Sequence, residues 1–88
     1  MYNRRPEAVS YSALELIDLA DKQGYIIISV GSSIIDTISY DLMLKNLVVT
    51  LTSNDDYVYY NVSFHKFYKF VNAESKGSFY NLYVRGRW

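Results

Sequence analysis

Cysteine is absent from the 88 residues, and histidine occurs once, as His65. No disulfide staple, thiolate zinc site or thiol nucleophile can therefore form, and one histidine is too few for an ordinary His-rich metal site. Net charge is absent as well, because nine Lys and Arg balance nine Asp and Glu. Apolar runs such as Ile26-Ile27-Ile28 fall far short of the ~20 residues that span a membrane. Met1-Tyr2-Asn3-Arg4-Arg5-Pro6-Glu7 lacks the apolar stretch of a secretion signal. A soluble cytoplasmic protein without a membrane partner is expected. No repeat, low-complexity tract or flexible linker interrupts the chain.

What is present is apolar and aromatic. Half of the residues are hydrophobic, 17% are aromatic, and ten are Tyr. A chain of this length makes one small domain and buries only about 60–65% of its unfolded surface, so its core must be dense. Aromatic rings supply that density at little conformational cost.

The first periodic segment predicts a helix over 12–23. Ser12 and Glu15 have capping-box spacing, Ala13, Leu16, Ile17 and Ala20 form one stripe, and Gly24 suits the end. The pattern also allows a start as early as Glu7, with Pro6 in the first turn. Four strands are expected next, over 25–30, 34–40, 47–52 and 57–62. In the second, Ile34, Asp36, Ile38 and Tyr40 should share one face, and Ile35, Thr37 and Ser39 the other. The polar loop Ser53-Asn54-Asp55-Asp56 makes the last two strands an antiparallel hairpin. The period then changes. Phe64, Phe67, Tyr68 and Val71 predict a helix capped by Ser63, and a second helix over 77–85 should bury Phe79, Leu82 and Tyr83, with Gly86 at its end.

From Ser32 to Trp88 the sequence resembles the KTSC domain. Its opening strand is similar to Ser33-x-Ile35-x-x-Ile38-x-Tyr40-Asp41, its next to Leu47-x-Val49-x-Leu51, and its central signature to Tyr57-x-Tyr59. The closing segment, Asn72-Ala73-Glu74-Ser75-Lys76-Gly77-Ser78-Phe79-Tyr80-Asn81 followed by Val84-Arg85-Gly86-Arg87-Trp88, carries the most specific likeness. The family usually has Gly where this chain has Ser39 and Pro where it has Ser63. Such domains occur at the C-terminus of some lysyl-tRNA synthetases and as small bacterial and phage proteins. RNA binding has been suggested for the family, and with the synthetase context the resemblance makes RNA binding the expectation for this chain. Residues 1–31 are an extension outside it, and 32–88 are the KTSC-like domain.

The extension needs a purpose. Leu47, Val49 and Leu51 should face the two C-terminal helices, while Val48, Thr50 and Thr52 face away. Val48 and Val58 are apolar where the family tends to be polar. An open sheet face is normally polar, so a cover is expected: the Ala13, Leu16, Ile17, Ala20 stripe, or a second copy.

Charge points to a ligand class. Residues 61–88 hold Lys66, Lys69, Lys76, Arg85 and Arg87 against Glu74 alone, while residues 31–60 hold Lys45 against Asp36, Asp41, Asp55 and Asp56. Cations of the last third, with His65 and exposed Tyr60 and Tyr80, could hold phosphates and stack on unpaired bases. Ordinary solvated helix faces and core tyrosines would produce the same composition. Ser75, Lys76, Gly77 and Ser78 form a possible anion site at a helix start, although the segment does not match the nucleotide-hydrolase phosphate loop. The plain alternative is a capped helix start.

Catalysis is not expected. Asp55-Asp56 suits a hairpin loop, and neither metal-ligand spacing nor a cofactor motif is present. The expectation is an α+β domain with an antiparallel sheet of about four strands, two short C-terminal helices on one face, and an N-terminal helix. It would be a non-enzymatic RNA or other nucleic-acid binding module. The alternative is a small protein–protein interaction module or homodimer, since Tyr, Trp and Arg also anchor interfaces.

Overall fold

A computed structural model describes residues 10–88. The possible earlier helix start at Pro6-Glu7 lies outside the described residues. The element order is α1 (Ala13–Gln23), β1 (Ile26–Ser29), β2 (Ile35–Asp41), β3 (Asn46–Leu51), β4 (Asp56–Tyr59), α2 (Phe64–Val71) and α3 (Lys76–Phe79), running into a π-helical turn (Tyr80–Val84). The strands form one antiparallel sheet in the order β1-β2-β3-β4.

Local chemistry sets the boundaries. Ser12 and Glu15 form the capping box: the Glu15 N–H donates to Ser12 Oγ at 3.1 Å and the Ser12 N–H to Glu15 Oε1 at 3.4 Å. Gly24 closes α1 at φ 81°, where a side chain is disfavoured, and its N–H donates to the Ala20 carbonyl at 2.7 Å. Between β2 and β3, Asp41 Oδ1 accepts from the N–H groups of Met43 and Leu44 at 3.0 and 2.9 Å. In the β3–β4 hairpin, Asp56 Oδ1 accepts from Thr50 Oγ1 at 2.7 Å and Asp55 Oδ2 from Ser53 Oγ at 2.9 Å. Both loop carboxylates are thus occupied in shaping the turn.

Pairing puts Ile26, Tyr40 and Leu47 in one row and Ile28, Ile38 and Val49 in the next, all buried. The helices cover this face. Leu16, Ala20, Phe67, Phe70, Val71, Tyr80 and Val84 join these strand residues in one core. Tyr40 stacks flat on Phe67, with ring centroids 4.4 Å apart, and its hydroxyl donates to the Val62 carbonyl at 2.6 Å.

Three expectations are corrected here. First, α1 joins the layer of α2 and does not cover the far side of the sheet. Ile27 and Val58 on that side remain 49% and 46% exposed. The row Ile27, Ser39, Val48 and Val58 is flanked by Thr37 and Thr50, whose hydroxyls keep the face wettable. The buried stripe of α1 is accordingly Leu16 and Ala20 with Leu19 beside them, while Ala13 and Ile17 are exposed.

Second, β2 carries a bulge. Ile35 pairs with Leu51 but Thr37 pairs with Thr50, so Asp36 is the extra residue. The bulge turns Ile35 into the core on the same face as Ile38, against the simple alternation. Third, the last helical segment buries Tyr80 and Val84 and exposes Leu82 and Tyr83. The cause is the π turn, in which the Arg85 N–H reaches back five residues to the Tyr80 carbonyl. That wider winding displaces the 3.6-residue pattern.

Candidate functional site

The site is built on α2. Ser63 Oγ caps the helix by accepting from the Lys66 N–H at 3.2 Å. Phe67, Phe70 and Val71 occupy the buried side, so His65, Lys66 and Lys69 are left on the outer one. The C-terminal segment then returns across α2. Gly86 takes φ 73°, and the N–H groups of Arg87 and Trp88 donate to the Val84 carbonyl at 3.0 and 3.1 Å. This hook brings the Trp88 ring perpendicular to Phe70 and Phe79, with centroids 5.9 and 6.1 Å away. Tyr83, swung outward by the π turn, leans on Phe79 at 4.9 Å.

Between these walls lies an open groove of about 570 Å³ lined by His65, Lys66, Lys69, Phe79, Tyr83 and Trp88. It carries cations and aromatic surface, and no carboxylate among the described residues lines it. The Lys66 ammonium sits 5.6 Å from the centroid of the Trp88 ring, a cation–π contact. Among the described residues one ion pair forms, Lys22 with Asp18 at 3.1 Å, on the outer face of α1. The positive groups of the groove are therefore not neutralised by the acidic middle of the chain.

Of the residues singled out from the sequence, His65, Lys66 and Lys69 meet in this groove. Arg85, Arg87 and Tyr60 are exposed but do not line it. Tyr60, 71% exposed, follows β4 on the side of Val58 by strand alternation. Two expected surface residues are buried. Lys76 is 2% exposed; its ammonium donates to the Ala73 carbonyl at 3.1 Å, just past the end of α2, so it fastens one helix to the next. Tyr80 points inward, and its hydroxyl shares a 2.9 Å hydrogen bond with the Tyr59 hydroxyl. Burial and that bond push the Tyr80 phenol above the ordinary tyrosine range, and the Arg85 charge opposes the shift only in part.

The Ser75–Ser78 segment is also corrected. Ser75 Oγ accepts from the Ser78 N–H at 3.3 Å, so the cap is self-contained. With the Lys76 ammonium turned inward, no cation among the described residues joins the polar hollow of about 290 Å³ that Ser75, Gly77 and Ser78 form with Ser32, Ser33 and Asn81. Gly77 serves packing: a Cβ there would lie 3.1 Å from both Ile34 Cγ1 and Ser32 Oγ. The residues that sequence reasoning missed as liners are Phe79, Tyr83 and Trp88. Only Gly86, two places before Trp88, hinted that the chain turns back.

Fold and site together define a small two-layer α+β module that presents cations and aromatic rings on its helical side. The chain belongs to the KTSC domain family, whose model matches residues 31–88. That span begins after β1 and includes every residue of the groove. The structure is similar to the crystal structure of the KTSC domain protein YPO2434 from Yersinia pestis. The TM-score is 0.66 and the identity 29%, over 70% of this chain and 87% of that one. No curated protein matches the chain.

Proposed function

We propose that the protein is a non-enzymatic nucleic-acid-binding module, with RNA as the polymer, that engages its ligand through the α2–Trp88 groove. The observation that carries this reading is the pairing of unneutralised Lys66 and Lys69 with exposed aromatic surface in one concavity. Lysines hold phosphates without regard to sequence, and rings stack on unpaired bases. His65 shares the groove with cations and rings, a setting that favours holding an anion. The test is a salt titration against generic single- and double-stranded RNA and DNA. Affinity that falls steeply with salt supports the reading, and no binding at low salt overturns it.

A second reading has its own observation. The uncovered sheet face presents Ile27 and Val58, both about half exposed, with Tyr25 and Tyr60 at its margins. Apolar and Tyr-rich surface of this kind suits a protein partner or a second copy. Sedimentation of the isolated protein over a concentration series separates self-association from a monomer.

A further inference from the structure

The geometry points to a more specific occupant: we propose that the groove is a slot for one unpaired nucleobase and the phosphate next to it. In this proposal Lys66 leaves the face of Trp88 to the base and moves its charge to the phosphate. The proposal rests on the nucleic-acid reading above.

Four features converge on it. The Trp88 indole is held by perpendicular contacts to Phe70 and Phe79, so its plane is set before any ligand arrives. The Lys66 ammonium covers that indole, 5.6 Å from its centroid. An exposed cation–π contact is weak, and the long lysine stem lets the charge swing aside without leaving the groove. Lys69, nearly one helical turn further on, supplies a second cation on the same side. Tyr83, 55% exposed and inclined 52° to Phe79, gives the slot a second aromatic wall.

The position of Tyr83 depends on the π turn, and such turns are concentrated at functional sites. The groove, at about 570 Å³, lies within the size range of small-ligand sites. Base pairing hides both faces of a base in the stack, so a slot that works by stacking selects unpaired strands. An acidic peptide would satisfy the lysines and leave the rings without a flat partner.

Trp88 is the single tryptophan of the chain, so its emission reports on the slot directly. The experiment titrates the full chain with oligouridylate, with an RNA duplex of equal length, with inorganic polyphosphate and with polyglutamate, all at one low salt concentration. The expected result is quenching of Trp88 by oligouridylate, with affinity ~10-fold or more above the duplex and polyphosphate. Trp88→Ala removes the packing of the indole on Phe70 and Phe79 and so mixes folding with binding; Lys66→Met is therefore the working variant. It should change Trp88 emission before ligand is added, and lower the salt slope of oligouridylate binding by about one ion.

Duplex or polyphosphate binding as tight as oligouridylate, with Trp88 emission unmoved, overturns the slot and leaves backbone binding in place. No binding of any polyanion overturns both the slot and the nucleic-acid reading. Tightest binding to polyglutamate overturns both in favour of a protein ligand.

Discussion

The side-chain amide of Asn72 holds both backbone polar groups of Tyr11, a residue 61 positions away in the sequence. Its oxygen accepts from the Tyr11 N–H, and its nitrogen donates to the Tyr11 carbonyl at 3.0 Å and to the Tyr68 carbonyl at 3.1 Å. One side chain thus closes the C-terminal end of α2 and anchors the strand of chain leading into α1. Asn72→Ala removes these three side-chain hydrogen bonds from partly buried peptide groups, which should cost about 1–3 kcal/mol of stability in urea titration. Hydrogen exchange should quicken in α1 more than in the sheet. Asn72→Asp keeps the acceptor but loses both donors, and should lie near Asn72→Ala rather than near the parent protein.

The buried phenols give the fold an alkaline limit. Burial raises the Tyr40 phenol above its ordinary value of 10.0, with a smaller push from the Asp41 charge. Tyr80 is raised by burial and by its bond to Tyr59. A phenol raised in the folded state favours the protonated form there. Its stabilising effect is complete below the unfolded value near pH ~10 and is lost as pH climbs toward the folded value. Circular dichroism should therefore be flat up to about pH 10 and then fall, together with the late appearance of tyrosinate absorbance. Tyr80→Phe should cost about 1 kcal/mol at neutral pH, by stranding the Tyr59 hydroxyl, and should blunt the alkaline transition.

Lys76 and Gly77 should matter for folding and not for ligand. Removing the buried amine in Lys76→Ala empties packed volume and frees the Ala73 carbonyl, at a cost of about 1–3 kcal/mol. In Gly77→Ala the new methyl meets Ser32 Oγ, which is held in place by accepting from the Ile34 N–H at 3.1 Å. That crowding should outweigh the helix preference of Ala and cost about 1 kcal/mol net. Thermal melts of both variants should fall. The salt slope of RNA binding should stay at the parent value for Gly77→Ala, whereas Lys69→Ala should reduce the slope by about one ion and leave the melt nearly unchanged.

The sequence made those elements legible whose chemistry is local. The Ser12–Glu15 box, Gly24, the Ser53–Asp56 loop and the Ser63 cap each act within a few residues, and the helices and hairpin stand where these signals put them. Long-range geometry was not legible. The bulge at Asp36 inverts the facing of Ile35, and no residue type announces it. The π turn moves burial from Leu82 and Tyr83 toward Tyr80 and Val84, while Phe79 stays packed against the core. At the candidate site, Lys66 and Lys69 were legible from helix spacing. Trp88 was not, because its place over α2 depends on the positive φ of Gly86 and on docking against Phe70.

The two faces of the sheet supply the last contrast, because β3 and β4 present valines to both environments. Val49 is buried against the helices, whereas Val58, paired with Val48, stands on the uncovered side with Ile27. Val49→Thr buries a hydroxyl with no assured partner and should cost about 1–3 kcal/mol. Ile27→Thr and Val58→Thr place hydroxyls in water on a strand that tolerates β-branched residues, so each should stay within about 0.5 kcal/mol of the parent. Urea titrations of the three variants at low protein concentration measure this directly. A loss at Val58 as large as that at Val49 would mean that something covers the outer face after all. If that loss grew with protein concentration, the cover would be a second copy.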